Sequence, residues 1–357
     1  MTILNKAKLR SDILALFERQ QTQILQGLGE YLQKEENQDV DFAGIMSRVL
    51  EGNEYFFKNK KVDDYLRNLL SYDEQCFLAR VFRYGAEYLA TINQRRMPIS
   101  QDVEIEKGEI KGIPVEWQFV PDTHPDRIFL YIHGGGWILG SPQEHRLLSI
   151  AIAKEIKLKA VSVDYRLAPE NTHPAHLEDC VAVYKWLISN GTKAENIIMG
   201  GDSAGGHLTL TTLLYLRDNG LPLPAGAILL APATDLSLSD ESFFNNGETD
   251  PVLSDAGLFW WFSSYISSSD AKDPSVSPLF ADLKGLPPLL FQVSSCEMLY
   301  SDTTRFVEKA RDSGVDVTME VWDDMLHVFQ SSGLEELPEA QEALDNIKSF
   351  ADKVFGN

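Results

Sequence analysis

The chain has 357 residues, 44% of them apolar, which is enough for a large buried core in one domain, or in one domain with a smaller cap. Asp and Glu number 53 against 32 Lys and Arg, a formal charge of −21. A body this acidic repels phosphate backbones and anionic membranes, so nucleic acid is excluded as an expected partner.

The first residues, MTILNKAKLRSD, lack the apolar core and small-residue cleavage site of a secretory signal. No stretch approaches the ~18 apolar residues a membrane helix needs. Cys76, Cys180 and Cys296 lie far apart, without a CxxC pair, and an odd count cannot close a disulfide framework. A cytoplasmic protein is expected.

Residues 1–97 carry helical patterning and no strong strand. LRSDILALFERQQTQILQGLGEYLQKEEN places Ile13, Phe17, Ile24, Leu28 and Tyr31 along one helix face. That face has two uses: packing on the rest of the chain, or pairing two subunits in a homodimer. Further helices are expected around FAGIMSRVLEG and DEQCFLARVFRYGAEYLATINQ, and Met97-Pro98 ends the run. This helical region is expected to contribute to a cap, with the catalytic domain over residues 98–357.

From Ser100 the texture changes. VEIEKGEIKGIPVEWQFVP alternates around Lys-Gly turns and predicts an antiparallel hairpin. Six short apolar runs follow: RIFLYIHG, KAVSVDYR, NIIMGGDS, GAILLAPAT, PPLLFQVSS and VTMEVW. Helix-length amphipathic segments separate most of them. That alternation indicates an α/β fold whose parallel sheet is covered on both faces. About fifty residues separate APATD from PPLLF, too many for a plain connection. They are expected to form a helical insertion around residues 235–275, which includes Trp260 and Trp261.

Gly201-Asp202-Ser203-Ala204-Gly205 is a G-x-S-x-G pattern between a predicted strand and a predicted helix. A turn that sharp holds Ser203 in a strained conformation and needs small neighbours, which suits a nucleophile. The alternative is a glycine-rich phosphate turn, but no Lys follows as in a P-loop and the spacing is wrong for a dinucleotide. The sequence asks for no cofactor.

YIHGGGW follows another strand, and its glycines let backbone N–H groups approach a ligand. The N–H groups of Gly135, Gly136 and Ala204 are the expected donors to an oxyanion. His133 reads as an anchor of that loop. Trp137 either walls an acyl pocket or packs in the core. Of seven histidines, only His327 follows the last strand, where a general base is needed. His173 and His176 form H-x-x-H around a Pro without a surrounding metal-ligand pattern, so no metal site is expected. Two carboxylates near the end of the preceding strand are candidates to orient His327. Glu297 sits closest to the strand end, whereas Asp302 starts a helix and suits a cap or a loop brace. Asp323 and Asp324 read as turn residues, and Cys296 as a buried apolar neighbour.

HGGGW, DYRLAPE, GDSAGG and SPLFADLKGLPPLLFQVSSCEMLYSD…HVF, in that order, resemble the hormone-sensitive-lipase-like family of α/β-hydrolases, in its bacterial esterase branch. The resemblance covers residues ~100–357. It implies an eight-stranded, mostly parallel sheet with a helical cap. The family's nucleophile falls on Ser203, its base on His327 and its oxyanion donors on Gly135, Gly136 and Ala204. Its acid position falls on Glu297, where many members have Asp. Asp164, Arg166 and Glu170 would form a structural polar network beneath the site, and Asp202 would brace a loop. The expected activity is a serine carboxylesterase acting on short- to medium-chain esters, with Trp137, Trp260 and Trp261 as pocket residues. A lactonase or amidase with the same triad, and a non-catalytic small-molecule receptor on the same fold, are the alternatives.

Overall fold

The computed structural model describes residues 10–60, 62–239, 241–253, 258–267, 269–332, 334 and 336–356. Four helices come first: α1 (Ser11–Leu32), α2 (Phe42–Asn59), α3 (Asp64–Arg67) and α4 (Tyr72–Arg96). α4 starts at a capping box. Glu74 accepts from Ser71 N at 2.9 Å, and Glu74 N donates to Ser71 Oγ at 3.3 Å.

The hairpin of β1 (Glu104–Ile110) and β2 (Ile113–Phe119) turns at Lys111-Gly112, both with positive φ (56° and 84°), which matches the twist of paired strands. Then β3 (Ile128–Ile132), α5 (Arg146–Ile156), β4 (Lys159–Val163), α6 (Ala175–Ser189), β5 (Ile197–Asp202), α7 (Ala204–Asp218) and β6 (Gly226–Leu230) alternate. The insertion holds α8 (Glu241–Asn245) and α9 (Leu258–Ile266). The chain ends with β7 (Leu289–Ser294), α10 (Tyr300–Asp312), β8 (Val317–Trp322), α11 (Phe329–Ser332) and α12 (Pro338–Phe355).

The eight strands lie in the order β1-β2-β4-β3-β5-β6-β7-β8, parallel from β4 to β8. β3, β5, β6 and β7 are buried along their whole length, as continuous apolar strands between two helix layers should be. Leu148 and Ile152 of α5 share one core layer with Ile347 and Phe350 of α12, while Leu187 of α6 and Leu208 and Leu213 of α7 belong to the other. Because β3, β5, β7 and β8 run the same way, the loops that follow them open at one edge of the sheet.

The N-terminal helices divide their work. On the insertion side, Phe56 and Phe57 of α2 meet Phe243 and Phe244 of α8, with ring centroids 5.8 to 6.2 Å apart, and Ser264 of α9 donates to Gln75 of α4 at 2.7 Å. α1 goes elsewhere. Its Ile13, Leu16 and Phe17 form a separate apolar cluster with Met325, Leu326, Phe329, Leu337 and Ala340. Arg10 pairs with Glu339, and Arg19 with Glu336 at 2.8 Å. Much of this face of α1 packs within its own chain: Ile13 is fully buried, Leu28 nearly so, and Tyr31 meets Tyr84 of α4 at 5.3 Å. Among the described residues no helix is long and apolar enough to cross a membrane.

Candidate active site

Ser203 stands between β5 and α7 with φ +52° and ψ −119°, a strained conformation for a residue with a side chain. Its N–H donates to the Leu230 carbonyl at 2.7 Å, which ties the turn to β6. The turn is tight because its neighbours are glycines. A Cβ on Gly201 or Gly205 would collide with the Ile132 carbonyl, so no larger residue fits where α7 leaves the sheet. Ala204 is the first residue of α7, where backbone N–H groups have no intrahelical partner.

The glycine loop after β3 lies alongside. Gly135 and Gly136 have φ +109° and +60°, and Gly136 lies against the Trp261 ring. Asp202 braces this loop, as its place in the motif suggested. It accepts from Tyr131 Oη and from Gly134 N (3.0 Å) and lies 3.5 Å from His145 Nε2. Burial opposes its charge, but His145 and Tyr131 outweigh that and hold it below the usual aspartate range. His133 is fully buried and stacked on Tyr165 at 4.2 Å. Burial pushes it down to about 3, so it is a neutral anchor.

Glu297 and His327, from the loops after β7 and β8, meet through a hydrogen bond between Glu297 Oε2 and His327 Nδ1. Both side chains are almost wholly buried. Ser294 N donates to the other Glu297 oxygen at 2.8 Å, which fixes the carboxylate in the plane it needs. For His327, burial penalises the charged ring. The charge and hydrogen bond of Glu297 outweigh it, with Asp250 and Asp202 adding to them, and raise the ring above the usual histidine value. His327 Nε2 is buried and makes no hydrogen bond within the described protein, to Ser203 or any other group. Catalytic hydrogen bonds are often unmade or poorly aligned in the absence of substrate and form only around it.

A cavity of about 30 Å³ opens beside Ser203. Trp137, Ala233, Phe243, Trp261, Phe262 and Leu299 contribute to its walls. Trp137 lines the cavity and is also part of the core: its ring stacks on Tyr265 at 4.4 Å and its Nε1 donates to His207 at 3.1 Å. Trp260 does not line this cavity. It is the helical neighbour of Trp261, so its side chain leaves α9 in another direction and packs near Phe82, with centroids 6.2 Å apart.

Asp302 does not cap its own helix. Its carboxylate accepts from Thr234 N and from Asp235 N (2.8 Å) and braces the loop after β6; burial pushes it up to about 7. Asp164, Arg166 and Glu170 do not form one network. Arg166 pairs with Asp179 at 2.8 Å, Glu170 pairs with Arg83 at 2.7 Å, and Asp164 joins neither pair. Arg83, in α4, also donates to the Ile138 and Ala168 carbonyls at 2.7 Å each, so it ties the helical region to the glycine loop. Cys296 is half-buried, and its Sγ approaches Asp324 at 3.6 Å, so it is not a purely apolar neighbour. His173 bonds Tyr265 (3.3 Å) and Ser275 (3.2 Å), while His176 bonds the Trp137 carbonyl (3.3 Å). Among the described residues no three His, Cys, Asp or Glu side chains converge as metal ligands. Asp250, Asn246 and Thr249, which surround the Glu297 loop, went unread in the sequence; their one signal is a polar cluster, NNGETD, inside an apolar insertion.

A family model described as the alpha/beta hydrolase fold matches residues 129–331. An acetyl-hydrolase of Streptomyces hygroscopicus is 37% identical over 236 residues, spanning 66% of this chain and 79% of the relative. An esterase of Acinetobacter venetianus is 36% identical over 258 residues, spanning 72% and 84%. Among solved structures, an esterase from the bacterial hormone-sensitive lipase family superposes with a TM-score of 0.74 at 35% identity, covering 87% of this chain and 99% of its own. Motif order, sheet order and these likenesses agree: the chain belongs to the α/β-hydrolase fold family, among the esterases of the hormone-sensitive lipase group.

Proposed function

We propose that this carboxylic ester hydrolase works through an acyl-enzyme on Ser203. Ser203 Oγ attacks the ester carbonyl carbon while its proton passes to His327 Nε2. The carbonyl oxygen takes up the negative charge, facing the N–H groups of Gly135, Gly136 and Ala204. The ester C–O bond then breaks, and the alcohol leaves with the proton from Nε2. Water repeats the sequence on the acyl-enzyme, with His327 again as base, and releases the acid. Glu297 holds His327 with Nε2 free to accept, and its charge favours the imidazolium that forms.

The observation that carries this reading is the buried Glu297–His327 hydrogen bond at the same sheet edge as the strained Ser203 turn. The cavity beside Ser203 is small and walled by apolar side chains, Trp137, Ala233, Phe243, Leu253 and Leu299 among them. It suits a methyl or ethyl group, which supports the short end of the expected acyl range, acetyl or propionyl. The Streptomyces relative is named an acetyl-hydrolase. Three free cysteines fit action in the reducing cytoplasm.

Ser203→Ala tests the reading. Hydrolysis of p-nitrophenyl acetate should fall by about 10³-fold or more, with the fold intact by circular dichroism. Wild-type turnover by that variant would refute it.

A further inference from the structure

The loop that carries Glu297 is gripped from outside, by side chains of the insertion between β6 and β7. Asn246 Nδ2 donates to the carbonyls of Ser295 (3.1 Å) and Glu297 (2.9 Å). Thr249 Oγ1 donates to the Cys296 carbonyl at 3.0 Å. Ser242 Oγ donates to the Met298 carbonyl at 2.8 Å and accepts from Ser301 N at 2.7 Å. Asp250 Oδ2 accepts from Met298 N at 2.9 Å. Four consecutive carbonyls, Ser295 to Met298, are thus each taken by an insertion side chain. Asp250 is 1% exposed, and its other oxygen accepts from Val252 N and Leu253 N at 3.0 Å each, which fixes the turn it sits in.

The same stretch also walls the pocket: Phe243 and Leu253 line the cavity with Ser203. Pocket wall and loop grip alternate along one segment, so one cannot shift far without the other.

We propose that Asp250, with Asn246, Thr249 and Ser242, positions the triad acid from the insertion, so that the acyl-pocket wall and the Glu297 loop move as one unit. This rests on the reading of Glu297 as the acid. Asp250 is a positioning residue: it acts through the Met298 N–H next to Glu297 and through its charge. The carboxylates acting on His327 are Glu297, Asp250 and Asp202, and those acting with Asp250 are Glu297 and the His327 ring. Burial pushes Asp250 up to about 6, so it is mostly charged at pH 7 to 8, where it supports the protonated His327 ring. Removing that charge lowers the His327 value. The base then stays neutral to lower pH, and the acidic limb of kcat/KM moves down.

The test compares Asp250→Asn, Thr249→Val, Thr249→Ser and Glu297→Gln with the wild type on p-nitrophenyl acetate. In Asp250→Asn, kcat should fall about 10- to 100-fold with KM within about twofold, and the acidic limb should shift to lower pH. Thr249→Val should lower kcat by about 3- to 10-fold, and Thr249→Ser, which keeps the hydroxyl, should restore it. If Asp250→Asn does not fold, the Thr249 pair carries the test. Wild-type activity in Glu297→Gln would remove the acid assignment and this proposal with it. Loss of activity in Glu297→Gln, with unchanged kcat and acidic limb in the Asp250 and Thr249 variants, would overturn the positioning role alone, as would a loss confined to KM.

Discussion

The proposed nucleophile side of the site and its proposed acid–base side are built in different ways. The Ser203 turn is assembled from residues close in sequence: β5, the small neighbours Gly201, Ala204 and Gly205, and the start of α7, with Gly201 and Gly205 pressed against Ile132. The acid–base side is assembled from residues far apart. Glu297 is gripped by the insertion about 50 residues earlier, and the His327 loop is backed by α1, more than 300 residues earlier, and by α12. A strained turn must carry its own small residues, because nothing else relieves a Cβ clash. A loop that only needs holding can be held by any segment that reaches it. Motifs therefore mark the first kind of construction and leave the second unmarked.

The comparison breaks most directly at Glu297. Glu297→Gln leaves the His327 ring without a carboxylate on Nδ1 and should lower kcat by about 10²- to 10⁴-fold, whereas Asp302→Asn, which braces the loop after β6, should change kcat little and lower the thermal midpoint. Steady-state kinetics with thermal unfolding of both variants reads the contrast; the reverse pattern would move the acid to Asp302. Next is α1. Ile13→Ala empties a fully buried position behind the His327 loop and should cost about 2–4 kcal/mol in denaturant unfolding, with kcat lowered in the folded enzyme. An unchanged kcat would make α1 a stabilising element with no hold on the base. The smallest effect belongs to the pocket. Trp261→Ala should raise activity on p-nitrophenyl hexanoate relative to acetate by about 10-fold, as a panel of acyl lengths would show.

The pH dependence follows from the same side of the site. In the proposed mechanism His327 must be neutral to accept the Ser203 proton, and Glu297 raises its value, so kcat/KM should fall as pH drops through a point above the ordinary histidine value. Stability runs the other way for this group. A raised value in the folded state gives stabilisation that is complete below the unfolded histidine value and lost as pH rises through the folded one.

Much of this architecture is legible in the sequence. Continuous apolar runs such as IFLYI and LLFQV marked strands buried on both faces, and the Lys-Gly turn marked the hairpin, because periodicity and φ demands are local properties. Ser203, the glycine loop, Glu297 and His327 stood out through position relative to those strands. Distance hid the rest. Asn246 and Thr249 are ordinary polar residues until folding brings them to the Glu297 loop, and Arg83 reaches the glycine loop only because α4 lies across it. Trp260 and Trp261 are equivalent in a string of letters, and only the helix angle separates the one facing the cavity from the one facing Phe82. The α1 face was readable as apolar, but its partner was not.

In the proposed mechanism, hydrolysis passes through a covalent bond to Ser203. Incubation with a fluorophosphonate, followed by digestion and mass spectrometry, tests it most directly. One phosphonyl group per chain is expected, on the peptide that contains Ser203, with loss of esterase activity in step with labelling and no label in Ser203→Ala. Full activity without labelling, or a label carried by another residue, would contradict it.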